Sequence, residues 1–171
     1  MGRRRRFDAM VLAIGAMATV GACGGNGDET TETERDAGVY EVVLRDLVLA
    51  ELPPQTDEDP LPVVYVVGAD GTSVPVDIQV TVVKPLKDEA EIRFVDARED
   101  AVLVDVPEDD DREKPVRDDG VLVTFGELPE AGSTIHVEVE LYWSVGDERS
   151  YDVTLAGGPS RWAIRSAAPL G

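Results

Sequence analysis

Few side chains in this chain have the chemistry of a nucleophile, a base or a metal ligand, and they lie far apart. Cys23 is the only cysteine and follows Val20-Gly21-Ala22. A thiol beside small residues can take a covalent group without steric hindrance, and the bond before it is open to a peptidase. His136 is the only histidine. One imidazole supplies one metal ligand, and without a second soft donor neither zinc nor copper is held. The same shortage leaves Ser-His-Asp and Cys-His catalysis without their parts. Glycoside hydrolysis needs only a carboxylate pair, yet aromatic residues make up 5% of the chain and mark no sugar cleft. The expectation is a protein that is not an enzyme, with a hydrolase as the lesser alternative.

Carboxylates are abundant: 35 Asp and Glu stand against 16 Lys and Arg. They gather in Asp57-Glu58-Asp59, Glu108-Asp109-Asp110-Asp111 and Asp118-Asp119. Calcium takes about six to eight oxygens at once. Loops converging at one end of a fold could supply them, and Asp109, Asp110, Asp111, Glu113, Asp118 and Asp119 are the candidate ligands. Solvated acidic loops are the plain alternative. A third group is Arg161, Trp162 and Arg165, an aromatic flanked by two of the few cations. It is a candidate partner contact, with capping of the core as the other role for Trp162.

The front of the chain places Arg3-Arg4-Arg5-Arg6, an apolar run from Ala9 to Val20 and Val20-Gly21-Ala22-Cys23 in succession. A secretory signal has this order of cationic start, short apolar helix and small residues at the cut. The run is too short to span hydrocarbon, which takes roughly twenty residues. The closing tetrad resembles the lipobox of bacterial lipoproteins. That resemblance implies cleavage between Ala22 and Cys23, with a thioether-linked diacylglycerol and an N-acyl lipid on Cys23 and no other cofactor. It also implies a protein anchored in the cell membrane and facing the extracytoplasmic side. Each buried acyl methylene contributes about 0.8 kcal/mol, so paired chains hold where one does not. The arginine run before Phe7 loosely resembles a twin-arginine signal too, with Asp8 where an apolar residue belongs, and Sec and Tat export both stay open. A stray cysteine after an ordinary signal, or an uncleaved helix, are the other readings of these residues. The resemblance covers residues 1–23 and implies nothing about activity.

The whole chain has a formal charge of −19, and loss of residues 1–22 leaves 12 basic and 34 acidic residues, or −22. Such a charge repels nucleic acid, whose binding rests on cations neutralising phosphates, and it repels anionic headgroups. The expected partners are the membrane, through lipid alone, and an unidentified envelope or extracellular protein, with no nucleic acid. A lipidated Cys23 leaves no disulfide, so packing must hold the domain. The expected organisation is a signal peptide over 1–22, the lipidated cysteine with a flexible acidic tether over 23–38, and a single domain over 39–171.

From Val39 the apolar residues recur with a period of two, rich in β-branched types and broken by Gly, Pro and Asp. The clearest strand is Thr134 to Trp143, with Ile135, Val137, Val139, Leu141 and Trp143 on one face and His136 on the other. Val145-Gly146-Asp147-Glu148 predicts a hairpin turn, and Tyr151, Val153 and Leu155 alternate in the returning strand. Further strands are expected at Val39–Ala50 with a change of phase near Arg45-Asp46, Val63–Val67, Val76–Val83, Glu91–Val95, Ala101–Val106, Val121–Phe125 and Arg161–Arg165. No helical pattern stands out. The expected fold class is all-β, an antiparallel β-sandwich of about 7–8 strands with immunoglobulin-like architecture. Asp111-Arg112-Glu113 resembles one fragment of the cadherin calcium motif, which implies a calcium-stabilised surface module as the alternative to a plain binding domain.

Overall fold

The computed structural model describes residues 26–56, 59–106, 110–158 and 161–171. Its frame is one six-stranded mixed sheet in the order β2-β1-β3-β4-β5-β6. The strands are β1 Val63–Val67, β2 Glu91–Phe94, β3 Val121–Phe125, β4 Thr134–Ser144, β5 Asp147–Gly158 and β6 Arg161–Leu170. β1 runs parallel to both β2 and β3, and the remaining neighbours pair antiparallel. The β-rich reading therefore holds, while a single mixed sheet with helices on one face replaces the expected pair of antiparallel sheets.

The β4–β5 half follows the alternation of its residues. Ile135, Val137, Val139 and Leu141 are buried on the helix side, and His136 and Glu138 point the other way. The loop between the two strands is Val145-Gly146, with Gly146 at φ 83 supplying the left-handed residue the turn needs. The run Val63–Val67 is apolar on both faces because both are covered. Val64 and Val66 meet the helices, while Tyr65 and Val67 pack under the 97–120 segment with Ala101, Val102, Val116, Leu122 and Tyr142. That segment makes only an isolated bridge, Val102 with Val116, where a strand over Ala101–Val106 was expected.

Two expected strands are helices. Val76–Leu86 is α3, which carries the chain between parallel β1 and β2, and such a crossover cannot be a tight turn. Its buried residues Ile78, Val82 and Leu86 recur every four positions. Val76 and Val80, which complete the apparent period of two, are exposed at 71% and 65%. Residues 26–51 form a second helical arm: α1 Asn26–Val43, a π turn Leu44–Val48 and α2 Leu49–Glu51. Ala37, Tyr40, Val43, Leu44, Leu47 and Val48 line its buried face, a spacing of three and four. The phase change at Arg45-Asp46 is thus a helix turning through its π segment, where the Leu49 N–H reaches the Leu44 carbonyl. Fully burying one such valine or leucine contributes about 1.5–3 kcal/mol, which fastens the arm to the sheet.

The stretch expected as a tether is helical from Asn26 onward, and packing begins before Val39. Ala37 is 1% exposed. Arg35 is buried, donates to the Glu130 carbonyl, and bonds Asp36 Oδ1 at 2.9 Å from Nε and 2.7 Å from Nη2. Thr33 Oγ1 donates to Asp77 Oδ2 on α3 at 3.0 Å. Burial pushes the Asp36 carboxyl up against the opposing pull of Arg35, and it lifts the Tyr40 phenol to about 12, with the Asp36 charge adding to the effect. No helix among the described residues is long and apolar enough to cross a membrane.

Candidate functional site

The acidic residues singled out in the sequence are placed at a corner of the second face, where arginines hold several of them. Asp118 and Asp119 follow one another in the left-handed region, at φ 55 and φ 50, in a short turn before β3. Two consecutive non-glycine residues there cost on the order of 1–3 kcal/mol each and persist only when neighbours fix them. Tyr65 Oη donates to Asp118 Oδ2 at 2.7 Å, Arg93 Nη1 donates to Tyr65 Oη at 2.7 Å, and Arg93 also pairs directly with Asp118. Arg112 Nη2 spans Asp119 at 2.6 Å and Asp110 at 2.7 Å. The Tyr65 hydroxyl and then Arg93 pull the Asp118 carboxyl below the usual carboxylate range. The side-chain bond from Arg112, helped by its backbone N–H, takes Asp110 down to about 2.

This arrangement answers carboxylates with guanidinium rather than leaving them open to a cation. Asp111 and Glu113 are exposed beside it. Among the described residues no three His, Cys, Asp or Glu side chains converge as a metal site. Asp109, like Asp57, Glu58 and Glu108, lies outside the described residues, as do Ala22, Cys23 and the whole signal segment.

The Arg161, Trp162 and Arg165 group divides. Trp162 is 5% exposed and belongs to the core beneath α1, so it caps rather than projects. Arg165 is exposed at the irregularity where β6 slips in register against β5. The β5–β6 hairpin that carries Trp162 closes over Gly157, at φ 153. A Cβ at Gly157 would stand 2.1 Å from the Arg161 carbonyl oxygen and 3.0 Å from Trp162 Cα. Only glycine lets β5 come so close, and the approach sets Trp162 against the helical arm.

Arg161 and Trp162 there line an open groove of about 500 Å³, with Glu34, Gly38, Glu41 and Val42 of α1 and Thr81 of α3 as its other walls. Of these residues, Arg161 and Glu34 form no side-chain bond among the described residues, Glu41 accepts from Arg45 at 2.7 Å, and the Trp162 Nε1–H is unpaired but sealed from solvent, so it does not open to the groove. By contrast Arg35, Arg45, Arg93, Arg98, Arg112 and Arg149 each meet a carboxylate. A buried donor left unpaired costs about 1–3 kcal/mol, and a fold does not gain from it.

Glu34 and Glu41 were not candidates from sequence, because residues 23–38 read as solvated linker and Val39–Ala50 as a strand. Their spacing of seven, which puts them on one helical face, is the signal that could have found them. His136 stands on the polar face of β4, with Thr154 Oγ1 at 3.1 Å and Asp152 Oδ1 at 3.7 Å from its Nδ1. Compared with protein families, curated proteins and solved structures, the chain matches none.

Proposed function

We propose that the chain is a lipid-anchored lipoprotein of the cell membrane, held through Cys23 on the extracytoplasmic side, whose β-rich domain binds an envelope or extracellular component without catalysing a reaction. The observation that carries the anchor is the order of the first twenty-three residues, from Arg3 to Val20-Gly21-Ala22-Cys23. Binding as the role of the domain is supported by the open groove beside β6, where Glu34 and Arg161 stand without side-chain partners among the described residues. A mature charge of −22 favours contact through local pairing and disfavours nucleic acid and bare anionic lipid.

Substituting Cys23→Ser tests the anchor. The variant should take up no lipid label and should accumulate as uncleaved precursor in membrane fractions. Normal labelling and processing of that variant would end the lipoprotein reading.

A further inference from the structure

We infer that α1 is a helical stalk between the lipid and the domain, and that it fixes which end of the sheet faces the membrane. The near pole is made by the starts of α1 and α3, the β3–β4 loop and the β5–β6 hairpin. The acidic corner and the β4–β5 turn form the far pole. The inference rests on Cys23 carrying the lipid and goes beyond it. In the sequence only Gly24 and Gly25 separate Cys23 from Asn26, the first residue of α1. Those three backbone steps reach at most about 11 Å, where a flexible linker over 23–38 would stretch to roughly 50 Å. From Asn26 to Thr33 the helix rises about 10 Å, so the anchor lies within about 20 Å of the packed domain.

The helical arm joins the domain at one pole and ends at the other. Thr33 Oγ1 donates to Asp77 Oδ2 at the start of α3, and Arg35 donates to the Glu130 carbonyl in the β3–β4 loop. Farther along, Arg45 meets Glu89 just past the end of α3, and Arg149, just after the β4–β5 turn, donates to Glu51. The arm therefore runs the length of β4, and its first turns continue along the α1 axis away from the far pole. Asp118 and Asp119 lie at that far pole, before the start of β3, as does a cleft of about 270 Å³ walled by Pro53, Pro62 and Trp143. Glu32, Glu34, Asp77, Glu127 and Glu130 lie around the near pole. An anionic bilayer repels these carboxylates within a Debye length, about 8 Å at physiological salt. That repulsion keeps the stalk upright over the Gly24-Gly25 joint, and the far pole is the surface an envelope partner reaches first.

The test uses the full processed lipoprotein, reconstituted into phosphatidylcholine vesicles that carry a headgroup acceptor dye. Cys23 is the only cysteine, so once it is lipidated a cysteine introduced elsewhere takes a donor dye alone. Glu130→Cys and Glu148→Cys, both at exposed positions, mark the near and far poles. Glu148 pairs with Tyr142, about 26 Å along β4 from Thr134, and transfer to the bilayer should be at least about threefold more efficient from position 130 than from position 148. Inserting a Gly/Ser linker of about twelve residues between Gly25 and Asn26, with a reach of about 20 Å, should bring the two efficiencies together. Equal or reversed transfer without the insertion, or a ratio the insertion leaves untouched, overturns the stalk while the lipoprotein reading stands. Processed protein that fails to float with the vesicles ends the lipoprotein reading, and the orientation with it.

Discussion

The acidic corner and the groove beside β6 use the same side-chain types to opposite ends. At the corner, Arg93 and Arg112 reach Asp118, Asp119 and Asp110, the Tyr65 hydroxyl completes the network, and two left-handed residues are held in place. In the groove, Glu34 and Arg161 form no side-chain bond among the described residues, and the Trp162 N–H is sealed beneath without a partner. The corner ties its charges to one another, whereas in the groove Glu41 is tied to Arg45 and Glu34 and Arg161 stay unpaired among the described residues.

Changes that disturb the frame beneath the comparison should have the largest effects. Arg35 is a buried, paired arginine on α1, and Arg35→Ala strands Asp36 without its cation. A loss of about 3 kcal/mol in denaturant unfolding is expected. Gly157→Ala forces a Cβ into the Arg161 carbonyl and should cost about 2 kcal/mol, with the Trp162 indole signal displaced. At the corner, Tyr65→Phe removes the hydroxyl that bridges Arg93 and Asp118 and should cost about 1 kcal/mol. A neutral result there would mean that the corner is not a structural clamp.

Acid should weaken the corner selectively. Asp110 and Asp118 have depressed carboxyl pKa values in the folded chain. Their contribution is complete above the unfolded value near 4 and is lost as pH falls through the folded value, about 2 for Asp110. Melting curves between pH 5 and pH 2, taken with and without Arg112→Gln, should converge at the acid end. Calcium at about millimolar level should leave the melting temperature where it is, because Asp110, Asp118 and Asp119 already face guanidinium groups. A rise of several degrees would return the acidic loops to the role of a cation site.

The half of the fold that could be read in advance is the half in which one signal acts alone. In β4 burial alternates from Thr134 to Leu141 and in β5 from Ser150 to Ala156, and the buried residues are β-branched or large. In Val76–Leu86 two signals overlap. Val76, Ile78, Val80 and Val82 alternate like a strand, while burial follows Ile78, Val82 and Leu86, and the need for a crossover between β1 and β2 decides for the helix. In α1 the polar first half carries no periodicity of its own, so its helix shows only once Arg35 and Ala37 are seen packed. The groove was half legible for the same reason: Arg161 and Trp162 stood out as a cation beside a large aromatic, while Glu34 was hidden in that polar half and Glu41 in a run read as a strand.

The contrast between the two regions is most directly tested by unfolding two double variants in denaturant, Glu34→Gln with Arg161→Gln in the groove and Arg93→Gln with Arg112→Gln at the corner. The groove pair should unfold at the wild-type midpoint or above it, because its charges form no side-chain bond among the described residues, and the corner pair should unfold at a clearly lower midpoint. A groove variant that loses as much stability as the corner variant would contradict the reading, since its charges would then belong to the fold and not to a ligand.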